Sequence, residues 1–259
     1  MRGQPNALTG LLFAALGVAL LLLLPWHVAT TLGTRPVILP AISAVAARLL
    51  ALSAGSVLGP ATLVSLARVN AGFALAVITA VPLGLILGRL PRAHAAAETV
   101  IEPLRFVVPF AWIPIAILWF GTSEAGKLFI IWYAGFFIVL LQTIAGVRGV
   151  DGDLIKAARS LGASDAAIFR KVIVPAALPA IVTGWQIAFA ASWISLLAAE
   201  MVASRAGLGY LVMDAREFLA TDTVIAGMAV IGAIGALYSG LFSLLQRRLL
   251  RHRSEPARL

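Results

Sequence analysis

The sequence predicts an all-α, polytopic membrane protein with six transmembrane helices, and three observations carry that prediction. Of 259 residues, 61% are hydrophobic and only 12% are charged, against about 25% charged in an average soluble domain. The mean hydropathy is +1.00. The charges are also spaced so that six uncharged runs remain, 3–34, 69–88, 106–123, 128–147, 172–199 and 223–246, each close to or above the ~20 apolar residues that cross ~30 Å of hydrocarbon. Such a chain is not a soluble domain, a disordered segment or a collagen-like repeat.

Taken in order, the first span lies at about 8–26. Arg2 ahead of an apolar run and small residues after Trp26 also fit a signal peptide, although the run exceeds the ~7–15 residues of such cores. Residues 49–67 are uncharged but interrupted by Ser53, Gly55, Ser56, Gly59 and Pro60, and are read as a short outer segment. In the second span Gly72, Ala76, Ala80, Gly84 and Gly88 recur every fourth residue. That spacing lays one smooth stripe along a helix face, where a neighbouring backbone approaches closely. The third span carries Pro103, Pro109 and Pro114, each removing an N–H and crowding a carbonyl one turn back, so it is kinked or starts late. It fits a helix broken beside a conduit, or an interfacial helix ending near Pro109. The sixth span repeats the small-residue device at Gly232, Ala236 and Gly240. The domain organisation that follows is a first helix and outer segment over 1–65 and a core of five spans over 66–250. The core includes a cytoplasmic loop over 148–175, and a basic tail occupies 251–259.

The formal charge of +9 is explained by the positive-inside rule rather than by nucleic acid. With both ends inside, the inner segments hold Arg2, Arg89, Arg92, Arg148, Lys156, Arg159, Arg170, Lys171, Arg247, Arg248, Arg251, Arg253 and Arg258. The outer segments hold only Arg35, Arg48, Arg68, Lys127, Arg205 and Arg216, with Arg105 at a boundary. This points to a multi-pass protein of a bacterial plasma (inner) membrane with both termini cytoplasmic. Cysteine is absent, which excludes disulfides and thiolate metal sites. His27, His94 and His252 are isolated and lack metal-ligand spacing. Glu98 and Glu102 stand one turn apart as an acid/base pair would, or are interfacial charges with Glu102 pairing Arg105 at i,i+3.

The inner segment 148–171 has a pattern of its own. Leu154, Ala158 and Leu161 fall on one helix face with Lys156 and Arg159 pointing elsewhere. Gly162 supplies a stop that takes positive φ, and Ser164 and Asp165 cap and open a second short helix running towards Pro175. A helix of this size lies on a membrane or inserts into a groove on a partner protein.

Lys156-Ala157-Ala158, three residues, Gly162, nine residues and Val172-Ile173-Val174-Pro175 resemble the EAA loop of ABC importer membrane subunits. The departures are Lys156 in place of the family's glutamate and valines in place of Ile and Leu. Leu39-Pro40-Ala41-Ile42-Ser43-Ala44-Val45, Ile113-Pro114-Ile115-Ala116-Ile117-Leu118-Trp119-Phe120-Gly121, Ala157 to Ser164 and Gly207-Leu208-Gly209-Tyr210 are similar to the nitrate/sulfonate/taurine permeases. Ala215-Arg216-Glu217-Phe218-Leu219-Ala220-Thr221-Asp222 is similar to the aliphatic-sulfonate and taurine members. The resemblance implies a type I ABC importer permease fold and pairing with a second permease copy. It also implies two cytoplasmic ABC ATPases, which hold ATP and Mg, and an external substrate-binding protein. No cofactor is implied on this chain, which has no GxxxxGK[ST] loop.

By the same resemblance, Leu154, Ile155, Lys156, Ala157, Ala158, Arg159, Ser160, Leu161, Gly162, Ala163 and Ser164 form the ATPase-coupling element. For an anionic cargo the donors available inside the fifth span are Gln186, Ser192, Trp193 and Ser195. These line the path or make interhelical hydrogen bonds, and Glu200 faces the conduit or marks the outer water line. The cargo implied is a small anion, an aliphatic sulfonate such as taurine, with nitrate, bicarbonate or a thiamine-precursor pyrimidine as alternatives. A self-sufficient secondary carrier is expected to carry ionisable relay residues inside its spans, and the uncharged runs hold none. A membrane-embedded enzyme lacks its catalytic cluster for the same reason.

Overall fold

The computed structural model describes residues 17, 21, 23–33, 35 and 37–250, with the side chains of Leu249 and Leu250 left out. Most of the predicted first span, its signal-peptide alternative and the basic tail 251–259 therefore lie outside the described residues. All regular structure among the described residues is helical. Residues 23–31 form α1. There follow α2 (Ile42–Ala54), α3 (Leu58–Arg89), α4 (Pro91–Phe106), a 3-10 turn (Pro109–Trp112), α5 (Ile113–Phe120) and α6 (Glu124–Arg148). The chain continues with α7 (Gly152–Ser160), α8 (Asp165–Ile168), a π turn (Phe169–Ile173), α9 (Val174–Ala203), α10 (Leu208–Glu217) and α11 (Thr221–Leu250). Among the described residues four helices, α3, α6, the run through α8 into α9, and α11, are long and apolar enough to cross a membrane, and the α4/α5 pair adds a fifth if it counts as one span.

The chain divides into two units, one of 1–59 with 211–230, the other of 60–210 with 231–259. In the first, Val45 and Leu52 of α2 pack with Ala226, Trp26 and Leu49. Trp26 Nε1 donates to Pro40 O at 3.0 Å, so the indole polar group is satisfied as it enters this small core, and the exposed Arg48 donates from Nε to Thr223 Oγ1 at 2.7 Å at its edge.

The second unit is built around α3, α6 and α9. The predicted stripe on α3 is the contact with α6, and the partners advance in step. A Cβ built on Gly72 would lie 2.6 Å from Ile131 Cβ, one on Gly84 2.6 Å from Thr143 Cβ, and one on Gly88 2.7 Å from Val147 Cβ. Ala76 faces Gly135, which also lies against Ser192 of α9. Glycine is required at these crossings because β-branched side chains occupy the space a Cβ would need. The rising register makes α3 and α6 parallel, whereas Gly146 against Ala177 and Ala180, with Ile130 clustered near Ala199, makes α9 antiparallel to α6.

Two boundaries differ from the sequence expectation. Residues 58–67 are not an interrupted stretch but the opening turns of α3. Gly59 and Pro60 read as an interruption, yet Pro60 stands in the first turn, where a backbone N–H has no intrahelical partner in any case. The predicted span 106–123 is not one helix. Val107 and Val108 are extended, and α4 meets the Pro109–Phe120 segment at 85°. Proline disfavours the helical region for the residue before it, which breaks the chain at Val108. The eight residues of α5 rise only about 12 Å, so the parallel pair α3 and α6 is connected by a bent return rather than by a straight span. On α11, Gly232 and Gly240 meet no atom within 4 Å. The small-residue stripe there is exposed and does not repeat the packing of α3.

Candidate functional site

Two regions at opposite ends of the α3/α6/α9 bundle hold the polar chemistry. The first is the elbow that joins α6 to α9. Asp151 caps α7, its side chain accepting from Asp153 N at 2.9 Å. Lys156 Nζ reaches Asp153 Oδ1 one turn back at 2.9 Å. At the other end Gly162 has φ +80. Its N–H donates to Arg159 O at 3.0 Å while Ala163 N–H donates to Ala158 O at 3.1 Å. That bond pair is a Schellman closure, which needs a left-handed residue and so selects glycine. Ser164 Oγ then accepts from Ala167 N at 3.3 Å to cap α8, and Arg159 Nη2 spans the elbow to Asp165 Oδ1 at 3.2 Å.

The elbow presents unpartnered apolar surface. Leu154 is 54% and Leu161 87% exposed, and Ala157, Ser160 and Ser164 are also exposed. Ile155, Ala158 and Ala163 are half-buried. The outward apolar anchors are thus Leu154 and Leu161, with Ala158 rotated inward relative to the face expected from the pattern. Beyond α8, Val174 N–H bonds to Phe169 O, a wide π turn placed just before Pro175, whose ring would crowd a regular α-turn. The Arg89 guanidinium lies 5.3 Å above the Phe169 ring, which ties the end of α3 to this turn through a cation–π contact.

The residues proposed along α9 divide by position. Gln186 and Trp193 line a groove of about 630 Å³ with Phe189, Ser239 and Phe242. Tyr238 stacks on Phe189 at 4.1 Å and its hydroxyl accepts from Asn70 Nδ2 at 2.8 Å. Ser192 points the other way and donates to Ile131 O at 3.1 Å, an interhelical bond at the tight α6/α9 crossing. Ser195 is buried. Glu200 is fully buried and belongs to the second polar region.

That region was not legible as a unit in the sequence. Ser65 Oγ donates to both Glu200 oxygens at 2.8 and 2.9 Å, Gly209 N–H donates to Oε2 at 2.9 Å, and Arg68 Nη1 to Oε1 at 2.8 Å. Leu208 N–H donates to Ser65 Oγ at 2.8 Å. The rest of the Arg68 fork grips Glu124, Nε to Oε2 at 2.6 Å and Nη2 to Oε1 at 2.7 Å, and Lys127 Nζ adds 2.9 Å to the same Oε1. Arg68 Nη1 also donates to Ala206 O at 2.6 Å. Gly207, at φ +118, presses directly against the Glu200 carboxylate where a Cβ would stand. A buried carboxylate persists only when paired and hydrogen-bonded, and this one is. The signal that pointed here was a lone glutamate closing a long uncharged run, which demands a cation nearby. Away from both regions, Arg105 Nη2 lies 2.9 Å from Glu102 and His94 Nδ1 lies 3.6 Å from Glu98, so Glu102 pairs with the cation three residues on and Glu98 lies beside an imidazole.

A bundle of long apolar helices with an exposed helical elbow between two of them is the architecture of a polytopic membrane protein. Residues 80–252 match the family described as binding-protein-dependent transport system inner membrane component. The chain is 40% identical over 237 residues to the taurine transport system permease protein TauC of Escherichia coli, covering 90% of this chain and 86% of that one. It is 35% identical over 192 residues to the bicarbonate transport system permease protein CmpB of Synechococcus elongatus, covering 74% and 69%. In fold it is similar to a chain of the MetNI methionine ABC transporter in an inward-facing form, with a TM-score of 0.64, 17% identity and coverage of 74% of this chain and 96% of that one. The chain belongs to the binding-protein-dependent transport system inner membrane components, the permease subunits of ABC importers.

Proposed function

We propose that this permease carries a small oxyanion whose preferred form is an aliphatic sulfonate such as taurine. The cargo is delivered by an external binding protein, and transport is driven by two cytoplasmic ATPases that hold ATP and Mg. The observation that carries the reading is the 40% identity to a taurine permease across 90% of the chain, which favours a sulfonate over the bicarbonate suggested by a relative matched over 74%. In this reading both ends of the chain lie in the cytoplasm, a second copy completes the membrane unit, and α7 sits in a groove on an ATPase with Leu154 and Leu161 as apolar anchors.

The geometry supports a lever. The Schellman closure at Gly162 and the Arg159 to Asp165 bridge hold α7 at a fixed angle to α8, and α8 runs through the π turn into α9 without a loop. Displacement of α7 by nucleotide-driven closure of the ATPases is then transmitted to α9 as a rigid-body motion. The test is uptake by the complex reconstituted with its ATPase and binding protein. Labelled taurine uptake should be competed by short alkanesulfonates and not by nitrate or bicarbonate. Uptake of bicarbonate or nitrate with no sulfonate competition would overturn the cargo assignment.

A further inference from the structure

Two nearly buried cations in the polar region behind Glu200 meet on one half-exposed carboxylate. The Arg68 and Lys127 side chains are only 8% and 6% exposed, and both are directed at the carboxylate of Glu124, which is 58% exposed. Glu200 is already satisfied from three sides by Ser65, Gly209 and Arg68 Nη1. Glu124 is held by the two cations alone, on its way out to solvent. Arg68 presents the flat Nε/Nη2 edge that matches any planar or trigonal oxyanion bidentately, and Lys127 adds a point charge beside it. Because Glu200 neutralises one of the two cations, withdrawal of Glu124 leaves a nearly enclosed site with one net positive charge.

We propose that Arg68 and Lys127 form a receiving site for a small oxyanion, and that the Glu124 carboxylate is its resident placeholder. A sulfonate has three oxygens, two for the Arg68 edge and the third for Lys127. A carboxylate such as Glu124 has two, and its Oε1 is shared between both cations. The Glu124 carboxylate occupies the position between the two cations, so the site opens only as Glu124 swings out. Exchange of one anion for another at constant net charge avoids leaving buried cations unpaired, which is the costly alternative. It also lets cargo enter without being held tightly, because the placeholder competes for return. The sulfonate class of the ligand rests on the cargo reading above, whereas the site itself rests on the geometry of Arg68, Lys127 and Glu124.

The test uses the full-length chain in lipid nanodiscs and methanesulfonate as the probe, exchanged for chloride at constant ionic strength. In Glu124→Gln the placeholder charge is gone, and methanesulfonate should bind at least tenfold more tightly than in the native chain. Binding to the folded state alone raises the melting temperature with ligand concentration, so a Glu124→Gln protein that is poorly stable in chloride should be restored by methanesulfonate. Adding Lys127→Met to Glu124→Gln should remove the response. If Glu124→Gln is destabilised but gains neither affinity nor stabilisation from methanesulfonate, or if the Lys127→Met addition leaves the response intact, the placeholder site is wrong. A chain that gains methanesulfonate binding in Glu124→Gln while its complex imports no anion would keep this site and overturn the cargo reading. A complex that imports sulfonates with no such gain would do the reverse.

Discussion

Arg68, early in α3, donates from Nη1 to the fully buried carboxylate of Glu200, near the end of α9, at 2.8 Å. The bond adds a polar tie between two helices that also pack through apolar side chains, Phe73 against Phe189 among them, and with Gly209 N–H and Ser65 Oγ it anchors the 204–209 connection. Removing one partner of a buried, hydrogen-bonded pair leaves the other uncompensated. Glu200→Gln should therefore lower stability by about 3 kcal/mol, measured as a fall of roughly 6–12 °C in melting temperature of the purified chain. An unchanged melting temperature would mean that the Glu200 charge is not part of the fold.

The α3 stripe gives a second prediction through a contrast of two glycines. At Gly84 a Cβ would lie 2.6 Å from Thr143 Cβ and 3.0 Å from Leu140 O, neither of which yields by a rotamer change. Gly84→Leu should cost about 3 kcal/mol or more through overpacking. Gly232→Leu, with no atom within 4 Å, should stay within about 0.5 kcal/mol of the native chain. Melting of the two variants as detergent-solubilised monomers separates them.

These two cases show what the sequence carried. A four-residue repeat of small side chains on α3 was readable because helix geometry turns spacing into a face. The identical pattern on α11 was not readable as exposed, because spacing says nothing about what lies opposite. The break at Val108 was signalled by Pro109, while the start of α3 at Leu58 was hidden by Pro60, since a proline is tolerated in a first turn and disruptive further in. The elbow at Gly162 was legible from local chemistry alone: a cap, an amphipathic turn and a left-handed stop. The Arg68, Glu124, Lys127 and Glu200 cluster was not, because its members are far apart in the chain and only the parallel register of α3 and α6, with α9 antiparallel, brings them to one end.

At the elbow, residue 162 should discriminate by backbone conformation rather than by size. With φ +80 and open space around it, Gly162→Asn should retain coupling, because asparagine tolerates the left-handed region. Gly162→Val should lose it, the left-handed conformation costing an L-residue about 1–2 kcal/mol. The measurement is ATPase stimulation by cargo-loaded binding protein in the reconstituted complex. Equal activity in both variants would place the coupling element elsewhere.

Lys156 tests the sign of the ATPase contact. Its pair with Asp153 is exposed on both sides, 79% and 83%, and such pairs contribute within about 0–1 kcal/mol. Lys156→Glu should therefore leave the melting temperature of the chain unchanged. It should weaken co-purification with the cognate ATPase, whose groove in this account faces a cation rather than the glutamate usual in the loop. Normal co-purification of the variant would remove Lys156 from the contact.

A permease subunit with no motive power of its own moves cargo only in company with its ATPase. The most direct test of this dependence is uptake of labelled taurine into proteoliposomes containing the chain with its ATPase and binding protein, with and without ATP. Uptake is expected only when all three proteins and ATP are present, and none by the chain alone. Uptake by the chain alone, without ATP, would contradict it.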